Sequence, residues 1–329
     1  MNIGFLKYFI RLLLAAGVSV FFVVVTSFGW NFFLRPRQAM ADAGSTAQGL
    51  KETVQYLSGE VGVRNRAHFD ALEKAAQYIE RSFREAGLPA ESWDYEVQGQ
   101  RFSNIVAKYR TNDSQDYILV GAHYDSCFNP GADDNASGVA GVLSLARSLK
   151  RERLGSNVLF VAFTNEEPPF FQTSDMGSRV FVLAAKERKI TVRSAVILEM
   201  IGFYSDRLFS QKYLPLMGPF YSNRGDFIAV VGDFKSRGLV DVVARALQKR
   251  NMTGTAAIVA PGGMPGISFS DHASFWAAGI PAVMVTDTAY LRNPYYHRQT
   301  DTADKLDFLR MADVVEGLKG AIVRLSGKP

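Results

Sequence analysis

Apolar runs of strand length recur along this chain, each separated from the next by a stretch with helical spacing. That alternation limits the fold more than any other feature. The runs lie near residues 104–106, 117–120, 158–163, 195–198, 227–231 and 282–286. Helical patterns occupy roughly 139–150, 178–186, 236–250, 271–278 and 308–325. A strand that is apolar throughout, rather than at alternate positions, is buried on both faces. Such strands alternating with amphipathic helices predict a mostly parallel sheet covered on both sides. A further helix is predicted over 69–86, with Leu72, Ala75, Ala76, Ile79 and Phe83 on one face and Gly87 and Pro89 as its stop.

Residues 12–34 break the pattern, being apolar apart from small or weakly polar residues such as Ser19, Thr26 and Asn31. At 1.5 Å rise per residue such a run spans a bilayer. Lys7 and Arg11 precede it and Arg35 and Arg37 follow, so flanking charge only slightly favours a cytoplasmic N-terminus. Ala39-Met40-Ala41 has the form of a signal-peptidase site, but the run is long for a signal and Arg35-Pro36-Arg37 intervenes. The expectation is one transmembrane helix within residues 1–37 and a linker rich in Ala, Gly, Ser and Gln over 38–50. A single catalytic domain is expected over 51–329. The domain would lie outside the cytoplasm on a single-pass anchor, or be secreted if the segment is cleaved.

Apolar residues make up 47% of the chain, enough for a large core, and the net charge of +5 is spread without a Lys/Arg run. That argues against a nucleic-acid partner. A single cysteine, Cys127, excludes an intrachain disulfide and any cysteine-based metal cluster. It reads as a small buried residue.

The chemistry-bearing residues cluster where the strands end. GAHYDSCFNPGADDNASG, residues 121–138, places His123, Asp125 and the pair Asp133-Asp134 on the loop after one apolar strand. Asn165-Glu166-Glu167 follows the next strand, Glu199 closes a third, and His297 lies about ten residues beyond a fourth. In open α/β sheets ligands bind at the carboxyl ends of the strands. His123, Asp134, Glu167, Glu199 and His297 offer nitrogen and oxygen donors suited to zinc, and five are too many for one tetrahedral ion. They suffice for two if a carboxylate bridges. Glu166 is left over, adjacent to a ligand, and placed to activate water for hydrolysis of an acyl bond.

Taken in order, H-x-D, G-A-D-D-N-x-S-G, N-E-E, L-E-M-I-G and Y-H-x-x-x-D-T make the chain resemble the co-catalytic di-zinc exopeptidases (peptidase family M28) from about Tyr56 onward. That family includes leucine aminopeptidases, glutamate carboxypeptidases and glutaminyl cyclases. The resemblance implies a three-layer α/β/α fold with a mixed, mostly parallel central sheet, two zinc ions per chain and peptide substrates. It implies that His123 and Glu199 hold one zinc and Glu167 and His297 the other. Asp134 is the bridge, chosen over Asp133 because it directly precedes N-A-S-G, and its bond to Asn135 is expected to be cis. Glu166 becomes the general base, Asp125 orients His123, Tyr296 stabilises the oxyanion, and Asp301 supports the His297 loop. One departure is Glu199, where the aminopeptidases more often carry Asp. Another is residues 205–233, which map onto no substrate role.

The leading expectation is an aminopeptidase. A carboxypeptidase would need a cationic pocket, for which Arg292 or Arg224 are candidates. A glutaminyl cyclase uses one zinc, against which the retention of His123, Glu167 and His297 argues. A non-catalytic binding ectodomain would be expected to have lost ligands, and none of the five is missing. Ser270-Asp271-His272 reads as a helix N-cap, His272 as packing, and His68 as a surface residue.

Overall fold

The structure is a computed structural model that describes residues 40–213, 221–250, 252–264 and 266–327. Segment 12–34, expected to cross a membrane, lies outside the described residues. Among the described residues no helix is long and apolar enough to span a bilayer.

Among the described residues eight strands form one mixed sheet. They are β1 (Ala90–Val97), β2 (Gln100–Tyr109), β3 (Asp116–His123), β4 (Asn157–Phe163), β5 (Thr191–Glu199), β6 (Phe227–Gly232), β7 (Gly254–Val259) and β8 (Ala282–Thr286). Their spatial order is β1-β2-β4-β3-β5-β8-β6-β7. The central four, β4-β3-β5-β8, run parallel. The β1–β2 hairpin joins β4 antiparallel on one side. On the other side β6 is antiparallel to β8 and parallel to β7.

Seven α-helices cover the sheet among the described residues: α1 (Met40–Gln55), α2 (Phe69–Glu85), α3 (Gly138–Leu149), α4 (Gly177–Glu187), α5 (Arg237–Gln248), α6 (His272–Ala277) and α7 (Phe308–Ser326). Ile118 and Val120 of β3 join a core with α1, α2, α3, α5 and α7, whereas Tyr117 and Leu119 join the opposite core with Phe181 of α4 and Phe275 of α6. That division of one strand between two cores is what its uninterrupted apolar sequence requires.

Three elements depart from expectation. Residues 40–50, read as linker, instead belong to α1, which runs on to Gln55, and Leu50 and Val54 are 1% and 0% exposed. Ala47, Leu50 and Val54 are a narrow apolar stripe in a polar, small-residue sequence, so this helix is held by packing on α7 and α3 rather than by its own propensity. The folded body therefore begins before residue 51. Strands β1 and β7 were not anticipated either. Both lie at sheet edges; β1 buries only Trp93 and Val97 of its eight residues, and the apolar run of β7, Ala256–Val259, is short and half alanine.

Because β4, β3, β5 and β8 are parallel neighbours, their carboxyl ends form one rim. His123 ends β3 and pairs with Phe163, the last residue of β4. Glu199 ends β5 and pairs with Thr286, the last residue of β8.

Candidate metal centre

The loop after β3 is shaped by long-range contacts. Arg64 is fully buried, and its guanidinium donates to the carbonyls of Tyr124 (2.7 Å), Pro130 (2.6 Å), Gly131 (2.8 Å), Gly62 (3.1 Å) and Leu57 (3.3 Å). Burial lowers this guanidinium to about 10, and Asp125, Asp301 and Asp134 partly offset the drop. Asp301 accepts the backbone N–H groups of Asp133 (3.0 Å) and Asp134 (3.2 Å) through its two oxygens. Asn135 ties the loop to β5, donating to Leu198 O at 2.8 Å and accepting from Met200 N at 3.0 Å. Gly138 must lack a side chain, since a Cβ there would collide with Asn135 and the Leu198 carbonyl. The Asp134–Asn135 bond is cis.

The same economy holds around the other strand ends. Asp125 accepts the N–H of Glu166 at 3.1 Å and of Glu167 at 3.0 Å, so one carboxylate sets the backbone of both glutamates. Asn165, Met200 and His297 have φ of 57°, 50° and 54°. Left-handed backbone at non-glycine residues costs about 1–3 kcal/mol each and persists where the surroundings impose it. All three adjoin or carry a chemistry-bearing side chain.

Asp134 lies between the two histidines. Its Oδ1 is 3.3 Å from His123 Nε2, and its Oδ2 is 3.2 Å from His297 Nε2. Glu199 Oε2 lies 3.3 Å from His123 Nε2, and Glu167 Oε2 lies 3.3 Å from His297 Nε2. Neither nitrogen of His123 makes a hydrogen bond, although the ring is fully buried, and Glu167 Oε1 is equally unpartnered. Buried polar atoms are rarely left so. Two donors about 2.0 Å from one tetrahedral zinc stand about 3.3 Å apart, which matches these separations. The residues fit a metal ion, with His123, Asp134 and Glu199 able to hold one, and Asp134 and Glu167 also face the His297 nitrogen.

The charge distribution asks for cations. Burial pushes Glu166 well above the carboxylate range, with His123 opposing and Glu199 adding to the rise. Burial and Asp134 raise Glu167 to about 7. Against the upward push of burial, His123 and His297 hold Asp134 below its ordinary value. Burial alone would lower His123, but Glu199 and Glu166 overcome it and raise the imidazole well above its usual value. Bound metal cations would offset this cluster of carboxylates, and the ligands would release protons as the metal binds.

The expected residues are thus brought together: His123, Asp134, Glu167, Glu199 and His297, with Glu166 Oε2 3.9 Å from His123 Nε2. Tyr296 stacks on the His297 ring, centroids 3.8 Å apart. Burial, then Asp134 and Glu167, raises the Tyr296 hydroxyl, which keeps its proton. Asp125 Oδ1 stands 3.4 Å from His123 Nδ1. Asp301 holds the His297 loop, donating its N–H to Arg298 O at 3.0 Å, and its carboxylate ties that loop to the Asp133–Asp134 backbone, whose two N–H groups it accepts. Asp271 occupies the position before α6 without a side-chain cap bond, and the neighbouring Ser270 hydroxyl instead donates to Glu199 Oε2 at 2.6 Å. His272 is packing: it is buried, bonded to Ile267 O at 2.7 Å and set edge-on against Trp276.

Beside Glu199 opens a cavity of about 100 Å3 whose walls include Tyr213, Tyr221, Phe227, Ile267, Met284 and Tyr296. Three of these come from the 205–233 segment that had no expected role. Arg292 is not among the lining residues. It is committed to Gln211 Oε1 (2.8 Å) and Phe227 O (2.7 Å), and Arg224 bonds the Asp206 carbonyl at an exposed site.

Sequence comparison agrees with this geometry. The model of peptidase family M28 matches residues 104–319. The uncharacterized protein YfbL of Escherichia coli is 43% identical over 284 residues, 83% of this chain and 87% of its own. Among solved structures, a zinc aminopeptidase from Bacillus subtilis superposes with a TM-score of 0.68 at 17% identity, covering 86% of this chain and 95% of that one. A glutaminyl cyclase from Fimbriiglobus ruber gives 0.64 at 21% identity, covering 89% and 99%. Fold alone therefore does not choose between hydrolysis and cyclisation. The family match takes in every donor of the centre, and on that ground the chain belongs to peptidase family M28 and is a peptide hydrolase.

Proposed function

We propose that the protein is an aminopeptidase with two zinc ions per chain, acting on peptides whose N-terminal residue is apolar. The observation that carries this is Asp134, which turns one oxygen to each histidine. Zinc held there supplies Lewis acidity, polarising the scissile carbonyl and lowering the pKa of water.

The protein's own groups do the rest. Glu166 accepts a proton from the attacking water and delivers it to the leaving amine nitrogen. The Tyr296 O–H donates to the carbonyl oxygen as negative charge develops there. Asp125 fixes the backbone of Glu166 and Glu167, which keeps the base in register with the ligands. An acid, Glu199, at the rim of an apolar cavity suits an N-terminal ammonium followed by an apolar side chain. A carboxypeptidase would need a cation in that cavity, and among the described residues no Arg or Lys lines it.

Full-length protein in detergent, dialysed against trace zinc, is expected to hold two zincs per chain, and His297→Ala fewer. It should cleave Leu- or Phe-peptides with a free N-terminus and leave N-acetylated ones intact. Cleavage of acetylated peptides from the C-terminus would favour the carboxypeptidase. Cyclisation of an N-terminal glutamine without hydrolysis would favour the cyclase.

We also propose that residues 12–34 anchor the domain on the extracytoplasmic side, from the length and apolarity of that run. The chain should stay with membranes through alkaline carbonate washing and be digested by protease added outside the cytoplasmic membrane. Release by carbonate would contradict the anchor.

A further inference from the structure

Cys127 is the chain's single cysteine, and nothing above gives it a role. It lies four residues past His123 on the loop that Arg64 clamps, and its thiol is free and half-buried. Its sulfur falls in one group with a Glu167 oxygen and a His297 ring nitrogen, all within 4.8 Å of one another. A second observation points to a ligand at the same place. Glu167 is 3% exposed, its Oε2 faces His297, and its Oε1 is buried without a partner. Leaving such an oxygen without a partner is costly, and a cation beside it removes the cost.

We propose that the Cys127 thiolate is a protein donor to the zinc held by Glu167 and His297. The inference rests on the two-zinc reading. The sulfur–metal bond forms as the thiol proton leaves to solvent. Cys127 Sγ then stands with a His297 ring nitrogen and a Glu167 oxygen as three donors within 4.8 Å of one another, equal in number to the group formed by His123, Asp134 and Glu199. A sulfur donor also makes that half of the centre softer than the other, favouring zinc or cadmium there.

The test uses full-length protein in detergent, stripped and reloaded with cobalt(II). A thiolate-to-cobalt charge-transfer band in the near ultraviolet is expected, and its loss in Cys127→Ser at equal cobalt content. No other residue can supply the thiolate. In a chelator competition, Cys127→Ser should weaken one of the two zincs by at least the roughly 10–100-fold that loss of an outer partner costs. The other zinc should be unaffected. Two cobalts bound with no such band would overturn the ligand and leave the two-zinc reading standing. Failure of the wild-type chain to take up metal would overturn both. The band is read on the unmodified protein, so the outcome does not depend on how the variant folds.

Discussion

Glu166→Gln is expected to lower kcat by about 10²–10⁴-fold, the usual contribution of a positioned general base, with zinc content unchanged. The amide preserves shape and most of the packing but cannot accept a proton from water. Its neighbours give the result a clear reading. Glu167 faces His297 Nε2 at 3.3 Å, whereas Glu166 comes no closer than 3.9 Å to His123 Nε2, so only the former is placed as a ligand. Both backbone N–H groups are held by Asp125, and the substitution should leave that loop where it is. KM should change little, because the loss falls on the transition state rather than on binding. Steady-state kinetics paired with metal analysis checks this. Retention of more than a tenth of kcat would rule Glu166 out as the base, and loss of zinc would make it a ligand instead.

The second large effect concerns stability. Arg64→Ala is expected to cost about 3–5 kcal/mol, the range for removing one member of a buried charged network. The guanidinium donates to five carbonyls drawn from residues 57–62 and 124–131, and the alanine would leave them buried without donors. It is also a buried positive charge beside Asp125, Asp301 and Asp134, whose repulsion it offsets. Arg64→Lys should recover little, since one ammonium cannot reach acceptors arranged around a planar fork. Urea unfolding of metal-stripped protein reads the structural part, and zinc affinity reads the consequence for the loop that bears His123 and Asp134. A loss under about 1 kcal/mol would mean that the loop is held without the arginine.

How much of the centre was legible in the chain follows from the range of the interactions involved. His123, Asp134, Glu166, Glu167, Glu199 and His297 stood out as candidates because each follows or closes an apolar strand, and both strand and turn are local patterns. Helices such as α7, with a regular apolar stripe, were bounded to within a residue or so. By contrast, α1 carries too few apolar residues to announce itself, and β1 and β7 lie at edges where alternate or small residues suffice.

Sequence by itself determined the sheet-and-helix alternation and put forward the candidate donors, since burial on both faces and ligand chemistry are properties of residue types. Tertiary structure alone decided which supports meet which donors. Arg64 reaches Pro130 across 66 positions, and Asp301 reaches Asp133 across 168. No local pattern encodes either contact. The same holds for Cys127, which reads as a small buried residue until the fold places its sulfur beside Glu167 and His297. The apolar cavity is likewise assembled from segments as distant as Tyr213 and Tyr296. Strand order brings four carboxyl ends to one rim, and only there do separately ordinary residues become a single centre.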